Sequence, residues 1–398
     1  MAKAKRSKSD SHTDNIYPLC DFLNDLGDVC EFKTPRHYCF ILGSGASLPS
    51  GIMSGRELTT NWLKELYRRF HPSVTLTSRN NLALLYKAKG DYDKALPLLE
   101  QTLTGRERVL GTEHPDTLTS RNNLASLYQS RGDYDKALPL YEQSLAGRER
   151  VLGAEHPDTL TSRNNLASLY QAKGDYDKAL PLLEQTLAVS ERVLGAEHPG
   201  TLTSRNNLAS LYQAKSNYDK ALPLLEQTLA VSERVLGAEH PATLTSRNNL
   251  ASLYQAKGDY DKGLPLLEQT LAVSERVLGA EHPDTLTSRN NLALLYKVKG
   301  DYDKALPLYE QTLVVSERVL GAEHPATLTS HNNLASLYQA KGDYDKALAL
   351  FEQTLKVCEK TLGLKHPKTR TIRENFQLCR DKFNSGEDGG TAGAVNKL

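Results

Sequence analysis

The chain has almost no net charge. Its 49 lysines and arginines against 48 aspartates and glutamates leave +1 over 398 residues. Such a balance supplies no field that would steer the protein toward nucleic acid or an anionic bilayer, so neither partner is expected. Long hydrophobic runs are also missing: no apolar stretch approaches the roughly 20 residues that span a bilayer. The basic start, MAKAKRSKSDSH, is not followed by the apolar segment of a secretory signal, and residues 1–13 read as a solvated, disordered end. Cysteine is scarce. Cys20, Cys30, Cys39, Cys358 and Cys379 form no CxxC pair and no zinc spacing. An odd, scattered set of this kind reads as reduced thiols in a cytoplasmic protein.

What the sequence has in abundance is itself. The string TLTSRNNLA starts at Thr75, Thr117, Thr159, Thr201, Thr243 and Thr285, with a close variant at Thr327, each step being 42 residues. A period of this length signals a repeat architecture. In the unit from Thr159 to Gly200, Leu160, Leu166, Ala167, Leu169 and Tyr170 recur at helical spacing. Gly174 is placed to end this first helix, and Asp175 to cap the next through its side-chain oxygen. The second helix carries Tyr176, Ala179, Leu180, Leu183, Leu187 and Leu194 inward and ends at Gly195. Pro181, with its equivalents Pro97, Pro139, Pro223, Pro265 and Pro307, reads as a regular kink within that helix. The proline of each EHP linker discourages helix through the preceding histidine. One such hairpin cannot bury its apolar faces alone, but stacked hairpins share a continuous core. The expected fold is all-α: a right-handed superhelical solenoid of antiparallel helix pairs. It has seven units over residues 71–380, closed by a capping helix made from TRTIRENFQLCR, with a disordered tail over residues 381–398.

Leu166-Ala167, Tyr170, Gly174, Tyr176 and Ala179 fall where tetratricopeptide repeats carry their small and large packing residues. The 42-residue period, the NNLA-x-LY string and the G-x-EHP linker resemble more particularly the repeats of kinesin light chains and their bacterial and fungal relatives. The resemblance implies a non-catalytic scaffold that binds a protein or an extended peptide in a groove lined by the first helices. It covers the cargo-recognition half only, since no heptad-rich segment is seen ahead of the repeats. One slot departs from the family: where a large apolar residue is usual, this chain has Arg79, Arg121, Arg163, Arg205, Arg247 and Arg289, with His331 in the seventh unit. Their stems are expected to pack while their heads reach water.

On the face opposite the apolar stripe, Thr161, Asn164, Ser168 and Gln171 share one side of the helix. An amide both donates and accepts, so a ladder of amides suits the backbone of an extended peptide. By this argument and the resemblance together, the groove residues are Asn80, Asn122, Asn164, Asn206, Asn248, Asn290 and Asn332. With them stand Lys87, Gln129, Gln171, Gln213, Gln255, Lys297 and Gln339. The alternative is that the asparagines satisfy polar groups between helices, a role best suited to their neighbours such as Asn165. His114, His156, His198, His240, His282 and His324 recur every 42 residues, too far apart on stacked helices to share a metal ion. They read as turn formers, and no metal or cofactor is expected. The fourth unit has Ser216-Asn217 in place of Gly-Asp, which predicts its weakest turn.

Residues 14–70 do not follow the repeat. Tyr38–Leu42 reads as a short strand, GSGASLPSGI as a glycine turn, and the following segment as a helix with Leu58, Trp62, Leu66 and Phe70 on one face. The turn resembles the NAD-binding loop of sirtuin-like domains, which would make Gly43, Gly45, Ala46, Ser47 and Gly51 the cofactor contacts. One βα unit before Thr75 cannot close a dinucleotide pocket, so the segment reads as a truncated relic that caps the solenoid. Two alternatives stand beside the scaffold. One is a NAD-binding or NAD-hydrolysing signalling protein with the repeats as sensor. The other is a self-assembling structural element, since near-identical repeats present matching surfaces.

Overall fold

The computed structural model describes residues 72–385. The basic start, the strand-loop-helix expected over residues 14–70 with its glycine turn, and the end of the tail lie outside the described residues. Within them the chain forms fifteen α-helices and no strand. The first helices of successive units are α1 (Pro72–Ala88), α3 (Pro115–Arg131), α5 (Pro157–Lys173), α7 (Pro199–Ala214), α9 (Pro241–Lys257), α11 (Pro283–Lys299) and α13 (Pro325–Lys341). The second helices are α2 (Tyr92–Leu110), α4 (Tyr134–Leu152), α6 (Tyr176–Val193), α8 (Tyr218–Leu236), α10 (Tyr260–Val277), α12 (Tyr302–Leu320) and α14 (Tyr344–Thr361). The last helix, α15 (Pro367–Ser385), stacks on α14 and buries Thr369, Ile372 and Cys379. It runs past the expected boundary at residue 380, and Phe383 sets its ring 6.3 Å from that of Tyr344.

The expected stripes form the core. Leu160, Leu166, Ala167 and Leu169 of α5 and Ala179, Leu183 and Leu187 of α6 are buried, and the same first-helix positions are buried in the second to seventh units, whereas Leu82 and Leu85 of the first unit are exposed. Neighbouring units share these clusters, so burial is continuous along the array. The helices run through Pro97, Pro139, Pro181, Pro223, Pro265 and Pro307 without ending, so each proline removes one backbone bond near the helix start.

The turn between paired helices is set by glycine. Gly174 has φ 81° and ψ 5°, a left-handed residue just after α5, and Asp175 N–H then reaches Tyr170 O at 2.8 Å. The fourth unit keeps this turn with Ser216 at φ 56°, and Asn217 N–H bonds Tyr212 O at 2.7 Å. Asp175 differs from expectation: its side chain makes no cap bond. Its backbone, at φ −80° and ψ 58°, is not in the extended conformation from which a carboxylate reaches back to the first turn.

The capping role belongs instead to the linker histidines. His156 is extended, and its Nδ1 accepts the Asp158 N–H at 3.1 Å, with Pro157 as the first helical residue. Proline suits that position because its missing N–H would have had no partner. The arginine slot also differs. Arg205, Arg247 and Arg289 are at most 1% exposed, heads included. Their guanidinium groups pair with Glu191, Glu233 and Glu275 at 2.6–2.7 Å. The glutamate lies 14 residues earlier on the preceding second helix, so the head is drawn inward to a carboxylate and not outward to water.

Candidate partner-binding groove

The first-helix face is a set of polar ladders between adjacent units. Asn123 Nδ2 donates to Asn80 Oδ1 at 3.1 Å, Asn165 Nδ2 to Asn122 Oδ1 at 3.2 Å, and Asn375 Nδ2 to Asn332 Oδ1 at 3.0 Å. The first asparagine of the first, second and seventh units thus accepts from an asparagine of the helix pair or capping helix that follows. In the middle of the array the pattern changes. Asn164, Asn248 and Asn290 turn their Nδ2 to Ser204, Ser288 and Ser330 at 3.1, 2.9 and 3.4 Å. The Oδ1 atoms of Asn164, Asn206, Asn248 and Asn290 are then buried without a hydrogen-bond donor among the described residues.

The glutamines lie two turns further along, half-buried. Gln129, Gln171 and Gln213 donate Nε2 to Ser168, Ser210 and Ser252, each at 3.3 Å. The Tyr141 hydroxyl also donates to Gln129 Oε1 at 2.9 Å. Gln255 and Gln339 occupy the same half-buried positions. Lys87 and Lys297 reach the equivalent serines, Ser126 and Ser336. Burial lowers both lysine pKa values, that of Lys297 to about 8. This face therefore carries two cations near its ends and neutral amides between.

Two sets of contacts were not anticipated from the residues. Arg106 and Arg148, in the first two units only, are 4% exposed and join three helices. Arg148 donates to Asp158 O, Ser162 Oγ and Thr119 Oγ1 at 2.8–2.9 Å. The glycine before each arginine makes this approach feasible, since a β-carbon on Gly147 would lie 2.5 Å from Leu118 Cδ2. The signal was the Gly-Arg pair standing where the third to sixth units have Val-Ser and the seventh has Val-Cys. The serines that receive the amides were also visible, at 39- and 40-residue offsets.

Among the described residues no group of histidine, cysteine, aspartate or glutamate is arranged to hold a metal ion. No helix there is long and apolar enough to cross a membrane. Among the described residues Cys358 and Cys379 form no disulfide and are buried, and burial raises the Cys358 thiol to about 11.

The tetratricopeptide repeat family matches over residues 74–150, 121–192, 158–234, 205–262, 244–313, 290–360 and 328–376. Among solved structures, the chain is similar to the nearly identical TPR-like repeats of a putative kinesin light chain from Podosopora anserina. That match has 39% identity and a TM-score of 0.44, over 52% of this chain and 98% of that one. It is also similar to BtubC from P. vanneervenii, at 20% identity and a TM-score of 0.43, over 71% of this chain and 98% of that one. No curated protein matches the chain. With seven overlapping matches running across most of its length, the chain belongs to the tetratricopeptide repeat family.

Proposed function

We propose that this chain is a non-catalytic interaction scaffold, acting in the cytoplasm, whose first-helix face receives an extended peptide. Tetratricopeptide arrays are interaction scaffolds in general, and the finer reading rests on one observation. Asn164, Asn206, Asn248 and Asn290 hold four amide oxygens in register, buried and without donors. Such groups are costly to leave unpaired. A peptide backbone lying along the face supplies N–H groups at regular spacing, and each asparagine can turn about χ2 to offer it either amide atom. The Oδ1 atoms of Asn80, Asn122 and Asn332 already accept from the next unit, which favours binding in the middle of the array over its ends. The monotony of the face fits a ligand read through its backbone better than one read through a sharp side-chain motif.

The test places a photo-crosslinking residue at Gln213 in the full chain and in the Asn164→Ala, Asn206→Ala, Asn248→Ala variant. Each is exposed to source-cell lysate, and crosslinked peptides are sequenced. Crosslinks to defined extended segments in the first protein and their loss in the second support the reading. Equal crosslinking in both, or none in either, overturns it.

A further inference from the structure

The array comes back into contact with itself. His324, in the linker entering the seventh unit, places Nε2 3.1 Å from the carbonyl oxygen of Ala88 at the turn of the first unit. His366, one unit on, places Nε2 2.8 Å from the carbonyl oxygen of Ser130 at the turn of the second. Each pair is separated by 236 residues. The proline after each histidine sits on a glycine. A β-carbon on Gly90 would lie 2.5 Å from Pro325 Cδ, and one on Gly132 would lie 2.5 Å from Pro367 Cδ. The same contact is made twice in successive registers, so its geometry belongs to the repeat and not to one unit.

The contact is directional. Nδ1 of His324 accepts the Ala326 N–H, and Nδ1 of His366 accepts the Lys368 N–H, both at 3.1 Å. In the neutral ring the proton is then on Nε2, aimed away from the helix. The turn opposite offers a carbonyl at a helix C-terminus, where the last carbonyls have no intrahelical donor. Its glycine leaves room for the proline ring. One edge of the array is thus a row of donors and prolines, and the other a row of carbonyls and glycines.

Among the described residues, much of both edges is unmatched. His114, His156, His198, His240 and His282 make the same cap bond at 3.0–3.2 Å and are each followed by proline. Among the described residues, a β-carbon on Gly174, Gly258, Gly300 or Gly342 would meet nothing within 4 Å. The fourth turn is the exception, because Ser216 already puts a side chain where a proline would sit.

We propose that a second copy of this chain docks on these edges, seating its linker histidines and prolines on the open glycine turns of the first. The occupant follows from continuity: the surface that fits the open seats is the one already seated on Gly90 and Gly132. Because the two edges differ, the contact is head-to-tail, and a copy that has used one edge still offers the other. The product is an open-ended series and not a closed dimer. Contacts that are weak singly act together because the three consecutive open seats at Gly258, Gly300 and Gly342 share one rigid spacing. This goes beyond the peptide-binding reading and uses none of its asparagines.

The test is sedimentation velocity of the full chain over a concentration series, with two variants. The linker-blocked chain carries His198→Ser, His240→Ser and His282→Ser. Serine caps a helix but presents no outward ring N–H. The turn-blocked chain carries Gly174→Asn, Gly258→Asn and Gly300→Asn. Asparagine tolerates the left-handed conformation but fills the seat. The mean mass of the unmodified chain is expected to rise at least about two-fold with concentration, without a plateau at the dimer. Both variants stay monomeric with unchanged helical circular dichroism. Their mixture forms a discrete two-chain complex, because each retains the edge the other has lost. The groove variant Asn164→Ala, Asn206→Ala, Asn248→Ala associates like the unmodified chain. A chain that stays monomeric throughout, association that survives either block, or loss of association in the groove variant would each overturn the proposal.

Discussion

Removing Glu233 should show how much the buried arginines depend on their carboxylates. Arg247 is 1% exposed, and its guanidinium meets Glu233 Oε1 at 2.6 Å. The Glu233 side chain is 42% exposed, so water already screens one end of the pair. Glu233→Ala strands a cation in a dry site, where breaking a buried pair costs about 3–5 kcal/mol in general. The wet carboxylate puts the loss at the lower end, about 3 kcal/mol. Arg247→Met behaves differently, because it removes the charge and fills the space. Such exchanges are neutral or stabilise by about 1–4 kcal/mol. Among the described residues the Arg247 Nη1 is buried without an acceptor, which favours the exchange further. Stability in a repeat array is a sum of unit and interface terms. The assay is therefore hydrogen exchange across α8 and α9 together with urea unfolding. Glu233→Ala should accelerate exchange there strongly, while Arg247→Met and the double variant match or exceed the parent. If Arg247→Met cost more than Glu233→Ala, the pair would be a net source of stability and the reasoning would fail.

Three other substitutions probe the irregular units. Ser216→Gly relieves a left-handed non-glycine residue and should stabilise by about 1 kcal/mol in urea unfolding. Lys297 titrates at about 8 in the fold against 10.5 ordinarily. The unfolded chain therefore binds more protons between those values, and stability rises with pH across that window. Lys297→Gln, which installs the amide of the middle units, should abolish that rise in a pH series of unfolding midpoints. Gly147→Val forces a side chain against Leu118, with an expected loss of about 1–3 kcal/mol that circular dichroism melts would register.

Periodicity made the architecture legible because each unit solves the same packing problem. The stripe from Leu160 to Leu169, the stop at Gly174 and the tolerated Pro181 all follow from local rules that the structure obeys. The polar details were less legible because they depend on which neighbour a side chain reaches. Nothing within one helix says that the Arg247 head will turn toward Glu233 on the preceding helix. The Asp175 carboxylate failed as a cap because the turn fixes a backbone angle from which it cannot reach, a constraint imposed by the left-handed Gly174 before it. The histidine cap could have been read from the sequence, since an extended residue followed by proline at the first helical position leaves its imidazole beside an N–H without a partner. The groove asparagines show the limit most clearly: the same residue stitches units at Asn122 and leaves its oxygen without a donor at Asn206.

Identical residues in such an array acquire different roles from their place in the superhelical turn, and the histidines allow this to be measured. His198 and His366 make the same cap bond, at 3.0 and 3.1 Å. Only His366 also donates to a carbonyl of another turn, Ser130 O, and it is 6% exposed. Burial lowers its pKa below the ordinary 6.5, partly offset by that bond. The unfolded state then binds more protons below pH 6.5, so the contribution of His366 is complete above that value and is lost as pH falls through the folded pKa. Serine preserves the cap at either position, which isolates the second bond. His366→Ser should therefore cost about 1 kcal/mol more than His198→Ser at neutral pH, and the difference should shrink in acid. Equal losses from the two substitutions in urea unfolding would mean that the return contact holds no energy, and that the array behaves as a row of neighbours alone.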